Sequence, residues 1–165
     1  MTRAIDVAYL FLKLAAFEEE PDPLSPLRLQ KLLYYAQGWH LACHNKPLFA
    51  DPIQAWAHGP VVSSVYQKFK KFGSGAIPTD LEIPEPQLTR IEGGLVASVW
   101  KAYQPFSALR LREMTHCETP WREARGNLSP EAKSARTISL DSMKRYFKNV
   151  LAQGKRNGSS QKEED

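Results

Sequence analysis

Cysteine is scarce: Cys43 and Cys117 are the only two in 165 residues. They lie far apart and form no CxxC pair, which argues against a zinc knuckle, a redox motif or a disulfide framework and predicts free thiols. Long apolar runs are missing too. The longest stretch without a formal charge, Pro52 to Gln67, contains Gln54, His58, Gly59 and Pro60, well short of the roughly 18–20 apolar residues of a membrane helix. Near the start Arg3 precedes a short apolar run, but Asp6 and Lys13 interrupt it and Glu18 to Glu20 follow, unlike a secretory leader. A cytoplasmic protein with no membrane partner is expected. Gly73 and Gly75 match neither GxGxxG nor a P-loop, so nucleotide binding has no support. Neither charge sign dominates: 22 Lys+Arg stand against 18 Asp+Glu, a net +4, short of the dense basic stripe of a dedicated nucleic-acid binder.

What is present specifies a helical domain. A hydrophobic fraction of 42% places one globular domain at residues 1–152, ahead of a polar tail, 153–165, with nothing apolar to bury and an expectation of disorder. Ile5, Ala8, Tyr9, Leu12 and Ala16 recur at three- and four-residue steps and predict a helix from Arg3 to Glu18. Ser25 and Pro26 form an N-cap and first-turn proline for a second helix. Between Leu32 and Ala42 that helix is apolar around nearly its whole circumference, which makes it central. Ile53 to Ala57 reads as a short strand, and Val61 to Phe72 as a third helix after Gly59 and Pro60.

The loop from Ser74 to Pro86 offers an edge strand around Leu81 and Ile83 to pair with the Trp56 segment. A fourth helix from Gln87 to Tyr103 contains Gly93 and Gly94, which predict either a break or the close approach of another backbone. Ser107 and then Thr119 with Pro120 start two short helices that meet at His116 to Trp121. Ser139 caps the last helix, with Leu140, Met143, Phe147, Val150 and Leu151 on one face. The fold class is therefore mainly α, about six helices with a short two-stranded β element.

Three groups of residues invite chemistry. His40, Cys43 and His44 share a helix face as metal ligands would, but the glutamate of HExxH is absent, so no metal and no cofactor is expected. His116, Cys117 and Glu118 carry the parts of a nucleophilic site, yet consecutive side chains diverge and favour a structural corner over a hydrolase. Lys68, Lys70 and Lys71, with Lys144, Arg145 and Lys148, provide a DNA-binding alternative. The connection between the helices around Ile53 is too long for a helix-turn-helix, which makes nucleic acid the weaker partner class. Four Trp, six Tyr and seven Phe exceed what packing needs and point to a protein interface.

Two blocks carry a specific resemblance. Leu29, Gln30, Lys31, Leu32, Leu33, Tyr34, Tyr35, Ala36, Gln37, Gly38, Trp39 and His40 lead to Ala55, Trp56, His58, Gly59, Pro60, Val61, Val65 and Tyr66. Leu111, Thr115, His116, Glu118, Thr119, Pro120 and Trp121 follow. In this order they resemble the Panacea family, the domain of SocA-like antitoxins and GepA-like phage-associated proteins. Ala57 and His58 stand where many relatives place a tyrosine before the Gly-Pro pair, and Cys117 sits inside the His and Glu signature.

The resemblance implies a non-enzymatic antitoxin that binds a cognate protein toxin directly. A proteolytic adaptor presenting the toxin to an ATP-dependent protease, or a DNA-binding regulator, is the alternative. The implied partner-binding residues are Gln30, Lys31, Tyr34, Trp56, His58, Tyr66, His116 and Glu118, with Gly59, Pro60 and Trp121 holding the scaffold.

Overall fold

The computed structural model describes residues 1–18 and 23–163, with side chains described as far as Lys155. Seven α-helices are drawn among these residues: α1 (Ala4–Ala16), α2 (Pro26–His44), α3 (Ser63–Phe69), α4 (Arg90–Tyr103), α5 (Ala108–His116), α6 (Thr119–Arg125) and α7 (Leu140–Glu163). Two strands, β1 (Gln54–Trp56) and β2 (Gly59–Val61), pair antiparallel, with Ala55 opposite Pro60. The molecule is mainly α.

α2 is the axis. Ser25 Oγ accepts from Arg28 N at 3.2 Å, Pro26 opens the first turn, and Asn45 ends the helix in the left-handed region at φ 59°, the cap chemistry that such a helix requires. Apolar side chains on every face let it pack simultaneously against α1, α3, α4, α5, β2 and α7. α7 lies closest: a Cβ at Gly38 would overlap the Phe147 ring, so glycine sets the depth at which that ring enters. Phe147 in turn makes edge contacts with Tyr34, Tyr35 and Trp39.

Four expectations need correction. The third helix starts at Ser63, because Gly59–Val61 is a strand and Val62 an extended N-cap; β-branched residues after a Gly-Pro pair continue the hairpin. No strand forms at Leu81 and Ile83. One side of β1 is taken by β2, and the other by residues 136–138, through Ala55 N to Arg136 O at 2.8 Å and Ile138 N to Ile53 O at 2.7 Å. α4 begins at Arg90, behind a capping box in which Thr89 Oγ1 accepts from Glu92 N and Glu92 Oε1 from Thr89 N. It then runs unbroken through Gly93 and Gly94, and a Cβ at either would meet nothing within 4 Å. Neither a break nor a close backbone accounts for that pair. The expected tail, 153–165, lies largely outside the described side chains, and α7 is drawn through to Glu163.

Candidate functional site

The two sequence blocks meet beneath the β1–β2 hairpin. α2 supplies Gln30 and Lys31 from one turn and Tyr34 and Tyr35 from the next. The end of α5 supplies Thr115 and His116, the α5–α6 junction Glu118, and α6 Trp121 and Arg125.

The polar members anchor backbone. Gln30 Oε1 accepts from Val62 N at 2.8 Å while its Nε2 donates to Val62 O at 3.4 Å. Lys31, fully buried, donates from Nζ to Pro60 O at 3.0 Å. Trp121 Nε1 donates to Trp56 O at 2.8 Å, and Arg125 Nη1 to Ala55 O at 2.9 Å. The other arm of Arg125 reaches Ser129 O and Ala132 O. Each bond satisfies a hairpin or loop group that burial would otherwise leave costly.

Gly59 is required twice over. Its φ of +108° is open to glycine, and a Cβ there would lie 2.7 Å from Lys31 Cε and 3.0 Å from Thr115 Oγ1.

The electrostatics are those of a buried site. Burial, with Arg112 as a second cause, lowers the Lys31 ammonium to about 7. Burial raises Glu118 to about 7 against the opposing effect of tyrosine hydroxyls. Tyr35 Oη donates to Glu118 Oε2 at 2.9 Å. His116 falls to about 4, through burial first and then the cations Arg112 and Lys31. Its ring lies flat on Trp121, 4.1 Å away at 10°.

The expected partner-facing residues therefore divide. Gln30, Lys31, Tyr34 and Glu118 are interior, so none of them presents its side chain to a body docking from outside. Above them, half-buried Trp56 and Tyr66 form an edge-to-face pair at 4.9 Å, and His58 is exposed at the hairpin turn. His116 is half-buried, while Gly59, Pro60 and Trp121 are buried.

The remaining groups separate as well. Lys68, Lys70 and Lys71 belong to α3 and the 3-10 turn after it, packed on α1 and α2, whereas Lys144, Arg145 and Lys148 ride on α7, packed on α2 and α6. Cys43 and Cys117 are free and exposed. His40 Nδ1 bonds Lys46 O at 2.7 Å, and among the described residues no group of three or more His, Cys, Asp and Glu could hold a metal ion.

Sequence reasoning missed Gln37 and Arg125. Gln37 sits two helical turns beyond Gln30 on the same face and does for Leu48 and Phe49 what Gln30 does for Val62. That seven-residue spacing was the available signal. Nothing local marked Arg125.

The family described as Antitoxin SocA-like, Panacea domain, matches residues 29–122, which enclose the hairpin and its supports from Gln30 to Trp121. Antitoxin SocA of Caulobacter vibrioides (strain NA1000 / CB15N) is 45% identical over 51 residues, 31% of this chain and 27% of that protein. The chain thus aligns with little more than a quarter of that relative's length. No solved structure matches. With the match covering more than half the chain and its signature residues gathered around one hairpin, the protein belongs to the SocA-like antitoxin family of the Panacea domain.

Proposed function

We propose that this chain is the antitoxin of a two-gene pair and neutralises a protein toxin in the cytoplasm by binding it directly, without turnover of a substrate. Membership of the SocA-like antitoxin family supports the role. The observation that carries the binding mode is the aromatic pair at the hairpin's edge, Trp56 of β1 with Tyr66 of α3. Trp56 and Tyr66 stand at the surface in fixed edge-to-face geometry beside exposed His58, and the backbone under them is bonded by Gln30, Lys31 and Trp121. Rigid half-exposed aromatics are the residue type that anchors interfaces, because little freedom remains to be lost on docking. In this reading Trp56, His58, Tyr66 and the exposed part of His116 touch the toxin. Gln30, Lys31, Tyr34 and Glu118 position them, and Gly59, Pro60 and Trp121 hold the frame.

The test is co-expression with the adjacent open reading frame. Growth arrest by the neighbour, relieved by this chain with the neighbour's abundance unchanged and the two co-purifying, is expected. Loss of rescue in a Trp56→Ala, Tyr66→Ala double variant that still folds would assign the surface. An innocuous neighbour would overturn the antitoxin role, and rescue that requires loss of the neighbour protein would overturn direct inhibition.

A further inference from the structure

The cations around the hairpin are satisfied by neutral groups. Fully buried Lys31 donates to Pro60 O at 3.0 Å. Arg125, 2% exposed, spends its donors on Ala55 O, Ser129 O and Ala132 O. Carbonyl oxygens take up such donors without cancelling their charge. Gln54–Val61 contains no Asp or Glu. On the neighbouring helices Glu113 pairs with Arg110, and Glu123 with Arg145. Glu118 accepts from Tyr35, and burial raises its carboxyl to about 7, which leaves it a weak counter-charge.

Arg112 is the member of this group without a partner. It stands half-buried on α5, one turn before His116. Its Nε is buried and bonds nothing, and its guanidinium forms no hydrogen bond or ion pair among the described residues. Burial first, and then the charge of Arg112, holds both His116 and Lys31 low. The Ala57 carbonyl of the hairpin turn acts on His116 in the opposite direction. The unpartnered charge therefore sits where α5 meets the hairpin turn, at the edge of the surface that carries His58 and His116.

We infer that Arg112 receives a carboxylate, an Asp or Glu side chain of the bound partner protein that docks at this edge. The inference deepens the antitoxin reading, on which it rests for the source of the carboxylate, by naming what the toxin has to present. A guanidinium fork matches two carboxylate oxygens with parallel N–H groups. A phosphate would call for further donors, and those of Lys31 and Arg125 already serve carbonyls. Excess positive charge at this edge repels a basic partner surface, so the pair contributes selectivity as well as contact.

The site is first tested without any partner. The full chain, labelled with ¹⁵N, is titrated at constant ionic strength with N-acetyl-glutamate methylamide, its glutamine counterpart and inorganic phosphate. Saturable shifts at Arg112 Nε and at the backbone of Arg112 and His116 are expected for the glutamate compound alone, lost in Arg112→Gln and reduced in Arg112→Lys. No response, an equal response to the glutamine compound, or a response that survives Arg112→Gln would overturn the inference. A stronger response to phosphate would overturn the carboxylate assignment.

The product of the adjacent open reading frame supplies the second readout. Arg112→Gln should bind it at least about tenfold more weakly, near 1.4 kcal/mol, with a shallower salt dependence than the natural chain. Its urea midpoint should be unchanged or higher, because no bond is lost and repulsion among the cations falls. Unchanged affinity in a folded Arg112→Gln chain would overturn the inference. A neighbour that fails to bind even the natural chain would instead defeat the antitoxin reading, and the small-molecule titration then decides the site by itself.

Discussion

Replacing Gly59 by alanine puts the hairpin mount to its most direct test. The added methyl would lie 2.7 Å from Lys31 Cε and 3.0 Å from Thr115 Oγ1, on a backbone held at φ +108°. An L-residue in that region costs about 1–3 kcal/mol, and forcing a methyl into a filled interior about 1–3 more. The expected loss is about 2–6 kcal/mol. With a urea slope of about 2 kcal/mol/M for a domain of this size, the unfolding midpoint should fall by about 1–3 M, read by the fluorescence of buried Trp121. The two parts separate in a double-mutant cycle. In a Lys31→Ala background the Lys31 contact is gone while the backbone strain and the Thr115 Oγ1 contact remain, so Gly59→Ala should cost about 0.5–2 kcal/mol less than in the natural chain. Strict additivity, or a loss below about 1 kcal/mol in the natural chain, would refute the claim that Lys31 and the hairpin turn are in contact.

Three further outcomes follow from the same packing. Gln37→Leu strands Leu48 N and Phe49 O, which Gln37 now serves at 2.7 and 2.9 Å, and should cost about 2–5 kcal/mol in urea unfolding. Glu118→Gln and Lys31→Met should reshape the pH profile of stability in opposite windows. Folded Glu118, at about 7 against an ordinary 4.5, keeps a proton that the unfolded chain releases, so its contribution falls as pH rises from 4.5 to 7; Gln removes that fall. Folded Lys31, at about 7 against 10.5, lacks a proton that the unfolded chain holds, so stability rises from pH 7 to 10.5, and Met removes that rise. Either slope is at most about 1.4 kcal/mol per pH unit, measurable by denaturant midpoints at pH 5, 7 and 9. Gly94→Ala should raise stability by about 1 kcal/mol, because the helix gains propensity and the methyl meets nothing.

Most helices were legible because their signals are local. Ser25 with Pro26, Ser107, and Thr119 with Pro120 mark starts that the structure places at the same positions. The capping box at Thr89 and Glu92 was equally local and would have corrected the start of α4. The neighbours of β1 were not legible, since Arg136 and Ile138 arrive from more than 80 residues away and occupy the side that Leu81 and Ile83 seemed suited to fill.

At the site, the residue types were found but not their direction. Gln30, Lys31 and Glu118 read as polar contacts for a partner, because one sequence cannot distinguish a polar side chain facing solvent from one facing an unsatisfied carbonyl. Lys31 settles on Pro60 O only once the hairpin has folded onto α2.

That inward direction bears on how the hairpin keeps its register. An apolar floor under the hairpin would stabilise at least as well, since buried charges contribute little net stability once their desolvation is counted. It would not, however, fix the register. In a three-residue ladder, sliding β1 by one residue against β2 exchanges the faces of Ala55 and Trp56, and an apolar floor would accept either. Hydrogen bonds from Trp121 to Trp56 O and from Arg125 to Ala55 O are lost on such a slip, while Lys31 holds Pro60 O of β2 in place. The polar floor thus favours a single arrangement of a short hairpin, in which Trp56 packs edge to face on Tyr66 of α3. A rim fixed in that way can change its outer residues, as at His58, without disturbing the mount beneath it.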